Sequence, residues 1–207
     1  MLVLHGGRRS PFVRRVEVWL TLQGRAFERN YVNVFTDELA AYTAINPLGR
    51  VPALTIAPDE HLIETAAIID YLEDAATPDR RLIPLTGEAR RKCLARIACA
   101  NAVVEKGVAL AYEVERRPPH LQWDDWRKRL TIQVDGGLAA LEAMVPSSGW
   151  MGGETPDGSD IAAVCAHDFV GTIAGFAPAA GLPRLAALSM RANGLPAFAA
   201  TLPPKPA

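Results

Sequence analysis

The run Asn46-Pro47-Leu48-Gly49-Arg50-Val51-Pro52-Ala53-Leu54 constrains the fold of this chain more than any other stretch. It is a turn that feeds directly into an apolar strand. Pro52 has no N–H and fixes its own φ, so it belongs at the first residues of a strand or on an edge. An X-Pro bond is also where a cis peptide costs little, about 0.5–1 kcal/mol. If Val51-Pro52 is cis, Val51 turns its N–H and C=O outward, free to pair with an extended peptide as an added strand would. A loop proline before an ordinary strand explains the same residues when they are read alone.

The flanking residues supply an order of elements. Leu2-Val3-Leu4 reads as a short buried strand ended by Gly6-Gly7. Ser10 offers an N-cap hydroxyl, with Pro11 at the first helical position, where its missing N–H costs nothing. Phe12, Val13, Val16, Trp19, Leu20 and Gln23 recur at helical spacing, which leaves Arg14, Arg15 and Glu17 outward until Gly24 stops the helix. Residues 27–34 read as a second strand and 37–45 as a short helix, while 53–57 and 61–64 flank the turn Pro58-Asp59-Glu60 as a hairpin. Thr65 is placed to cap a helix over 66–74, with Ala67, Ile68 and Leu72 facing inward. The order β-α-β-α-β-β-α implies one parallel pair joined through a helix and one antiparallel hairpin, the arrangement of an α/β thioredoxin-like domain.

A polar, proline-bounded linker follows, and everything beyond it is helical, so the expected division is 1–76, a linker over 77–86, and an all-α helical bundle over 87–207. Helices are expected over 88–117, 124–144, 157–175, 182–192 and 196–200. In the third of these Asp157 caps and Asp160 sits three residues on, a capping box with an acid in place of the usual Ser or Thr. The tail Pro203-Pro204-Lys205-Pro206 is expected to fray.

Composition removes several functions. A chain of 207 residues, 49% of them hydrophobic, buries a real core. Its net charge of −1 gives no global attraction to nucleic acid or an anionic membrane. The N-terminus is broken too early by Gly6-Gly7 and Arg8-Arg9 for a signal peptide, and no apolar run approaches membrane-spanning length, which leaves the cytoplasm as the expected location. Cys93, Cys99 and Cys165 make an odd count in apolar helical surroundings and read as reduced core thiols. The four histidines fall in no metal-ligand spacing, so no metal is expected. Adjacency on a helix should point His167 and Asp168 apart.

Taken together, Ser10-Pro11-Phe12, then Asn46 to Leu54, then Glu64-Thr65 resemble the glutathione-binding half of a cytosolic glutathione transferase. Trp150-Met151-Gly152-Gly153 followed by Asp157-Gly158-Ser159-Asp160-Ile161-Ala162 is similar to the same family's entry into a buried capping-box helix. The resemblance spans residues 2 to about 202. It implies a glutathione S-transferase of the bacterial, serine-type kind, with glutathione as co-substrate, a small hydrophobic electrophile as partner, and a homodimer. Conjugation, isomerisation and dehalogenation all fall within it, as does a glutathione-binding scaffold with little turnover. A thiol-disulfide reductase is disfavoured because no cysteine lies in the N-terminal half.

Glutathione is an extended anionic tripeptide whose thiol must become a thiolate to attack an electrophile near neutral pH. Ser10 stands where a thioredoxin-like redox protein carries its nucleophilic cysteine, and related transferases use a serine there. A hydroxyl bonded to a charged acceptor is worth about 1.5–3 kcal/mol and a helix N-terminus about 0.3–1. Together they lower a thiol pKa from about 8.5 by roughly one to three units. A bare helix cap remains the alternative for Ser10. The resemblance further assigns the Val51 backbone, ahead of Pro52, to the cysteinyl residue. It sets Glu64 against the ligand's ammonium, and the Thr65 hydroxyl with the following helix N-terminus against the γ-glutamyl carboxylate. Thr65 departs from the family's usual serine. Arg8, Arg9, Arg14 and Arg15 cluster near Ser10; Arg9 is the one expected to reach the ligand, while Arg14 and Arg15 read as solvated. Phe12 and Tyr112 are candidates for the electrophile pocket, with Trp123 and Trp126 as further aromatics, although aromatics at helical spacing usually serve a core.

Overall fold

Strand β1 (Leu2–His5) lies at the middle of the sheet because it pairs on both sides. It runs parallel to β2 (Phe27–Asn30) and antiparallel to β3 (Ala53–Ala57), which pairs antiparallel with β4 (Glu60–Ile63), giving the order β2-β1-β3-β4. The computed structural model describes residues 1–203, so the proline tail from 204 on lies outside the described residues. By contact the chain forms two compact units, Met1–Leu82 together with the stretch that begins at Leu195, and Ile83–Gly194.

In the first unit α1 (Pro11–Leu22) follows β1, α2 (Glu38–Tyr42) precedes β3, α3 (Thr65–Asp74) follows β4, and α8 (Pro196–Ala199) returns to pack on α1. Ala53 and Leu54 are neighbours in a strand, so their side chains leave opposite faces, yet both are fully buried. The sheet is therefore covered on both sides. On one side Ala53 meets Tyr42, Val32, Val51 and Ile63. Leu20, Leu54, Ile68 and Leu72 are fully buried, each worth about 1.5–3 kcal/mol by removal from water. A carboxylate sits inside this unit. Glu73 accepts from Trp19 Nε1 and Gln23 Nε2, both at 2.9 Å, and from the Leu82 N–H at 3.1 Å, tying α1, α3 and the chain beyond Pro78–Arg80 together.

The second unit is helical. It comprises α4 (Gly87–Ala111), a wide turn at Tyr112–Arg116, α5 (Asp124–Met144), α6 (Gly158–Val170) and α7 (Pro183–Asn193). Helix α4 packs along both α5 and α6. A β-carbon on Gly137 would come within 2.5 Å of Val103 Cγ2, so the absence of a side chain there sets how closely α5 approaches α4. At the start of α6 the capping box forms as expected: Asp157 Oδ1 accepts from the N–H groups of Ser159 and Asp160, and Asp160 Oδ2 accepts from the Asp157 N–H at 2.9 Å. Asp160 also takes the Met151 N–H at 2.8 Å, which fixes the loop entering the helix.

Several expectations change. Arg14, Arg15 and Glu17 are buried rather than outward, because α1 is covered all round: Arg14 Nε donates to Thr201 Oγ1 at 3.2 Å and Glu17 pairs with Arg29. Ala67 is exposed, and Ile69 takes the inward place beside Ile68 and Leu72. Thr65 is the first residue of α3, not its cap; Glu64 holds the cap position with φ +65°. Strand β2 ends at Asn30 instead of 34, β4 spans Glu60–Ile63, α2 covers only Glu38–Tyr42, α4 leaves regular geometry after Ala111, and α6 stops at Val170. His167 and Asp168 do not diverge. His167 Nδ1 bonds Asp168 Oδ1 at 3.0 Å, and the same carboxylate binds Ser189 and Asn193 of α7.

Candidate functional site

The strand register brings the candidate residues of the first unit to one end of the sheet. His5, the last residue of β1, is opposite Ala53, the first of β3, and Ala53 is opposite Ile63, the last of β4. Gly6, Val51 and Glu64-Thr65 therefore all leave the sheet at the same end. Gly6 also brings the first turn of α1, through Val13, against Val51. At φ +151° it lies so close to both that a β-carbon on it would be 2.3 Å from Val13 Cγ2 and 3.1 Å from Val51 Cβ.

Ser10 caps α1 with its Oγ accepting from the Val13 N–H at 3.3 Å, and Pro11 occupies the first helical position. The hydroxyl proton has no acceptor among the described residues, so Ser10 remains able to donate. Helix α1 carries no acidic side chain in its first turn, which leaves its positive end uncompensated. Val51-Pro52 is cis. Among the described residues neither the N–H nor the C=O of Val51 has a hydrogen-bond partner, although its side chain packs in the core. A backbone pair left open at a sheet end is the feature that added-strand recognition uses.

Glu64 is the one non-glycine residue with positive φ among the described residues, with φ +65° and ψ +130°. Such a conformation costs of order 1–3 kcal/mol and persists where surrounding structure imposes it, often at a ligand site. Its carboxylate is half exposed and meets Arg50 Nη1 at 3.5 Å. Thr65 is buried, and its hydroxyl has no partner among the described residues. The first intrahelical bond of α3 runs from the Ile68 N–H to the Glu64 carbonyl, so the N–H groups of Thr65, Ala66 and Ala67 are left for another acceptor.

Arg9 is exposed in the turn before Ser10, and Arg8 is turned toward Tyr31, donating to its hydroxyl at 3.2 Å with the guanidinium 4.8 Å over the ring. Phe12 is half-buried in the first turn of α1. Tyr112 is in the helical unit, exposed at the opening of the wide turn, and Trp123 and Trp126 are exposed too, so these aromatics do not serve the core. Buried Glu113 holds that turn by accepting from Arg117 Nε at 2.8 Å and from the Trp123 N–H at 2.7 Å. Spacing gave no hint of Glu113, since a glutamate beside Arg116-Arg117 reads as solvent-facing.

The three free thiols lie in the helical unit, and burial pushes Cys93 up to about 12 and raises Cys99 as well. Neither is a nucleophile at neutral pH. Among the described residues no three His, Cys, Asp or Glu side chains gather as a metal site, and no helix is long and apolar enough to cross a membrane.

Residues 4–80 match the family model described as glutathione S-transferase, N-terminal domain. A maleylacetoacetate isomerase of Pseudomonas aeruginosa is 32% identical over 160 residues, covering 74% of each chain. A crystal structure of a glutathione transferase family member from Pseudomonas fluorescens Pf-5, with bound glutathione, superposes with a TM-score of 0.83 at 28% identity, covering 99% of this chain and 100% of that one. A glutathione S-transferase from Methylobacillus flagellatus KT with GSH bound gives a TM-score of 0.88 at 25% identity over the same shares of the two chains.

Proposed function

The chain belongs to the glutathione S-transferase family, and from that premise we propose that it binds glutathione at the sheet end around Val51 and activates its thiol with Ser10. The observation that carries this reading is the open backbone of Val51 beside a helix N-terminus whose capping hydroxyl still has a proton to donate. The cysteinyl residue pairs with the Val51 N–H and C=O. The γ-glutamyl carboxylate takes the Thr65 hydroxyl and the unpaired N–H groups of α3, and the ammonium faces Glu64. Arg9 adds positive potential for an anionic tripeptide.

The chemistry follows from that placement. The glutathione thiol loses its proton to solvent, and the sulfur anion is held by the Ser10 hydroxyl and the N-terminus of α1. The thiolate then attacks an electrophilic carbon of a small hydrophobic substrate, forming a C–S bond as a leaving group departs with its electron pair or as a double bond takes up a proton. Glutathione falls to residues 1–76, and within residues 87–207, beyond the linker 77–86, exposed Tyr112 is the aromatic offered to the electrophile. The working form is a homodimer in the cytoplasm, where the three free thiols stay reduced.

A second reading is favoured by one comparison. The relative at 32% identity is named an isomerase, which supports glutathione-dependent isomerisation, in which the sulfur adds to an unsaturated carbon and leaves again after bond rotation. Turnover of a panel of electrophiles together with maleylacetoacetate, each with glutathione, separates the two. Consumption of glutathione marks conjugation, and product without net consumption marks isomerisation. If glutathione fails to bind at millimolar concentration, both readings fall.

A further inference from the structure

The carbonyl of Arg50, the last group before Val51, is gripped from two sides. Tyr42 Oη donates to it at 2.8 Å and Asn46 Nδ2 at 2.6 Å. Both donors are buried, Tyr42 2% and Asn46 1% exposed. The strand begins only at Ala53, so no ladder requires this carbonyl to be held.

Asn46 has local reasons to be where it is. Its Oδ1 accepts from the Leu48 N–H at 3.0 Å and its carbonyl from the Gly49 N–H at 2.9 Å, which shapes the turn after it. Tyr42 serves that turn through its backbone carbonyl, which accepts from the Ile45 and Asn46 N–H groups, and among the described residues its hydroxyl meets only Asn46 and the Arg50 carbonyl. It reaches from the last residue of α2, and its ring is already accounted for by packing against Ala53, Val32 and Ile63. Burial pushes the phenol up to about 12, so the hydroxyl stays a proton donor.

The consequence lies in covalent geometry. The C=O of Arg50 and the N–H of Val51 belong to one planar peptide unit, so fixing the first fixes the direction of the second. That N–H has no partner within the described residues. We propose that Tyr42 is a positioning residue, its hydroxyl holding the Arg50–Val51 peptide plane so that the Val51 N–H is aimed at the cysteinyl backbone of glutathione. The inference rests on the reading of Val51 given above.

The test compares wild type with Tyr42→Phe, which removes only the hydroxyl and keeps the packed ring. Three quantities are read: the amide NMR resonance of Val51, the Kd for glutathione and for S-methylglutathione, and the split between KM and kcat with an electrophile that turns over. The Val51 resonance should move. Both ligands should weaken by the same factor, about two- to tenfold, because they share the cysteinyl backbone. KM for glutathione should rise by that factor while kcat at saturation and the bound thiol pKa stay put. A control, Ile69→Val, loosens the same unit away from the turn and should keep wild-type affinity. The proposal is overturned if the Val51 resonance is unmoved, if Tyr42→Phe binds as tightly as wild type, or if the control loses as much. Should wild type bind no glutathione, the functional reading fails, and the Val51 resonance still decides whether Tyr42 sets this peptide.

Discussion

Gly6 lies so close to Val13 that any β-carbon on it would overlap the Val13 side chain, at 2.3 Å from Cγ2, and the same β-carbon would come within 3.1 Å of Val51 Cβ. One residue without a side chain thus sets the spacing between the start of α1, where Ser10 is, and the turn that carries Val51. Gly6→Ala must push these apart and also adopt φ +151°. We expect a loss of about 1–3 kcal/mol in stability from overpacking, more if the backbone cannot relax. Glutathione affinity should fall more than tenfold, because both of the contacts proposed for the cysteinyl residue would shift together. Thermal unfolding and titration calorimetry check the two effects separately.

Glu73 is a stability residue with no place in the proposed chemistry. Glu73→Ala leaves Trp19 Nε1–H, Gln23 Nε2 and the Leu82 N–H without their acceptor. Orphaned buried donors of this kind cost about 1–3 kcal/mol each before relaxation, and we expect a net loss of about 2–4 kcal/mol. Glu73→Gln keeps one carbonyl oxygen and should lose about half as much. Urea unfolding of the three proteins measures this.

Asp160 makes stability depend on pH in an unusual direction. Burial, reinforced by the charge of Asp157, outweighs the N–H donors around it and pushes its carboxyl up to about 6, against 3.8 for the free group. A carboxyl raised in the folded state binds more protons folded than unfolded between these values. Stability therefore falls as pH rises from about 4 to about 6, by up to about 3 kcal/mol from this group. Asp160→Asn should flatten that part of the curve and lower stability overall by about 1–3 kcal/mol, since the amide nitrogen faces the N–H groups of Gly152 and Asp157. Unfolding curves at a series of pH values supply the test.

A homodimer should appear in solution. Sedimentation at micromolar concentration is expected to give a species of two chains, and a single 22.3 kDa species would contradict it.

Local signals told most of the fold. Ser10-Pro11 opens α1, Asp124 and Met144 bound α5, and Asp157 with Asp160 opens α6, because caps and apolar periodicity act within a few residues. Beyond shifts of a few residues at element ends and the inward face of α3, the differences concern buried polar and charged side chains. Arg14 was expected in solvent because a charge on a helix usually points there, but its partner, Thr201, is 187 residues away. Glu17 finds Arg29, and Asp168 draws His167 into a network with a helix later in the chain. Buried charge is made tolerable by long-range partners, which no window of sequence contains. In the candidate site, the cap at Ser10 and the proline turn at Val51-Pro52 are legible from local chemistry, whereas Thr65 is the first residue of α3 and not the cap its residue type suggests. Gly6 and Tyr42 are not legible, since their importance lies in what approaches them from another strand or turn.

In the proposed chemistry Ser10 stabilises sulfur while other residues bind the peptide, and the pH–rate profile of Ser10→Ala beside wild type separates the two roles. Binding of glutathione should change little. The pKa of the bound thiol should rise by about one to two units, equivalent to the charge-assisted hydrogen bond of about 1.5–3 kcal/mol that is lost. Turnover near neutral pH should fall roughly ten- to a hundredfold and recover in part as pH rises, since alkali supplies the thiolate the hydroxyl no longer favours. A profile that keeps its shape and its rate after Ser10→Ala would show that this serine is only the cap of α1.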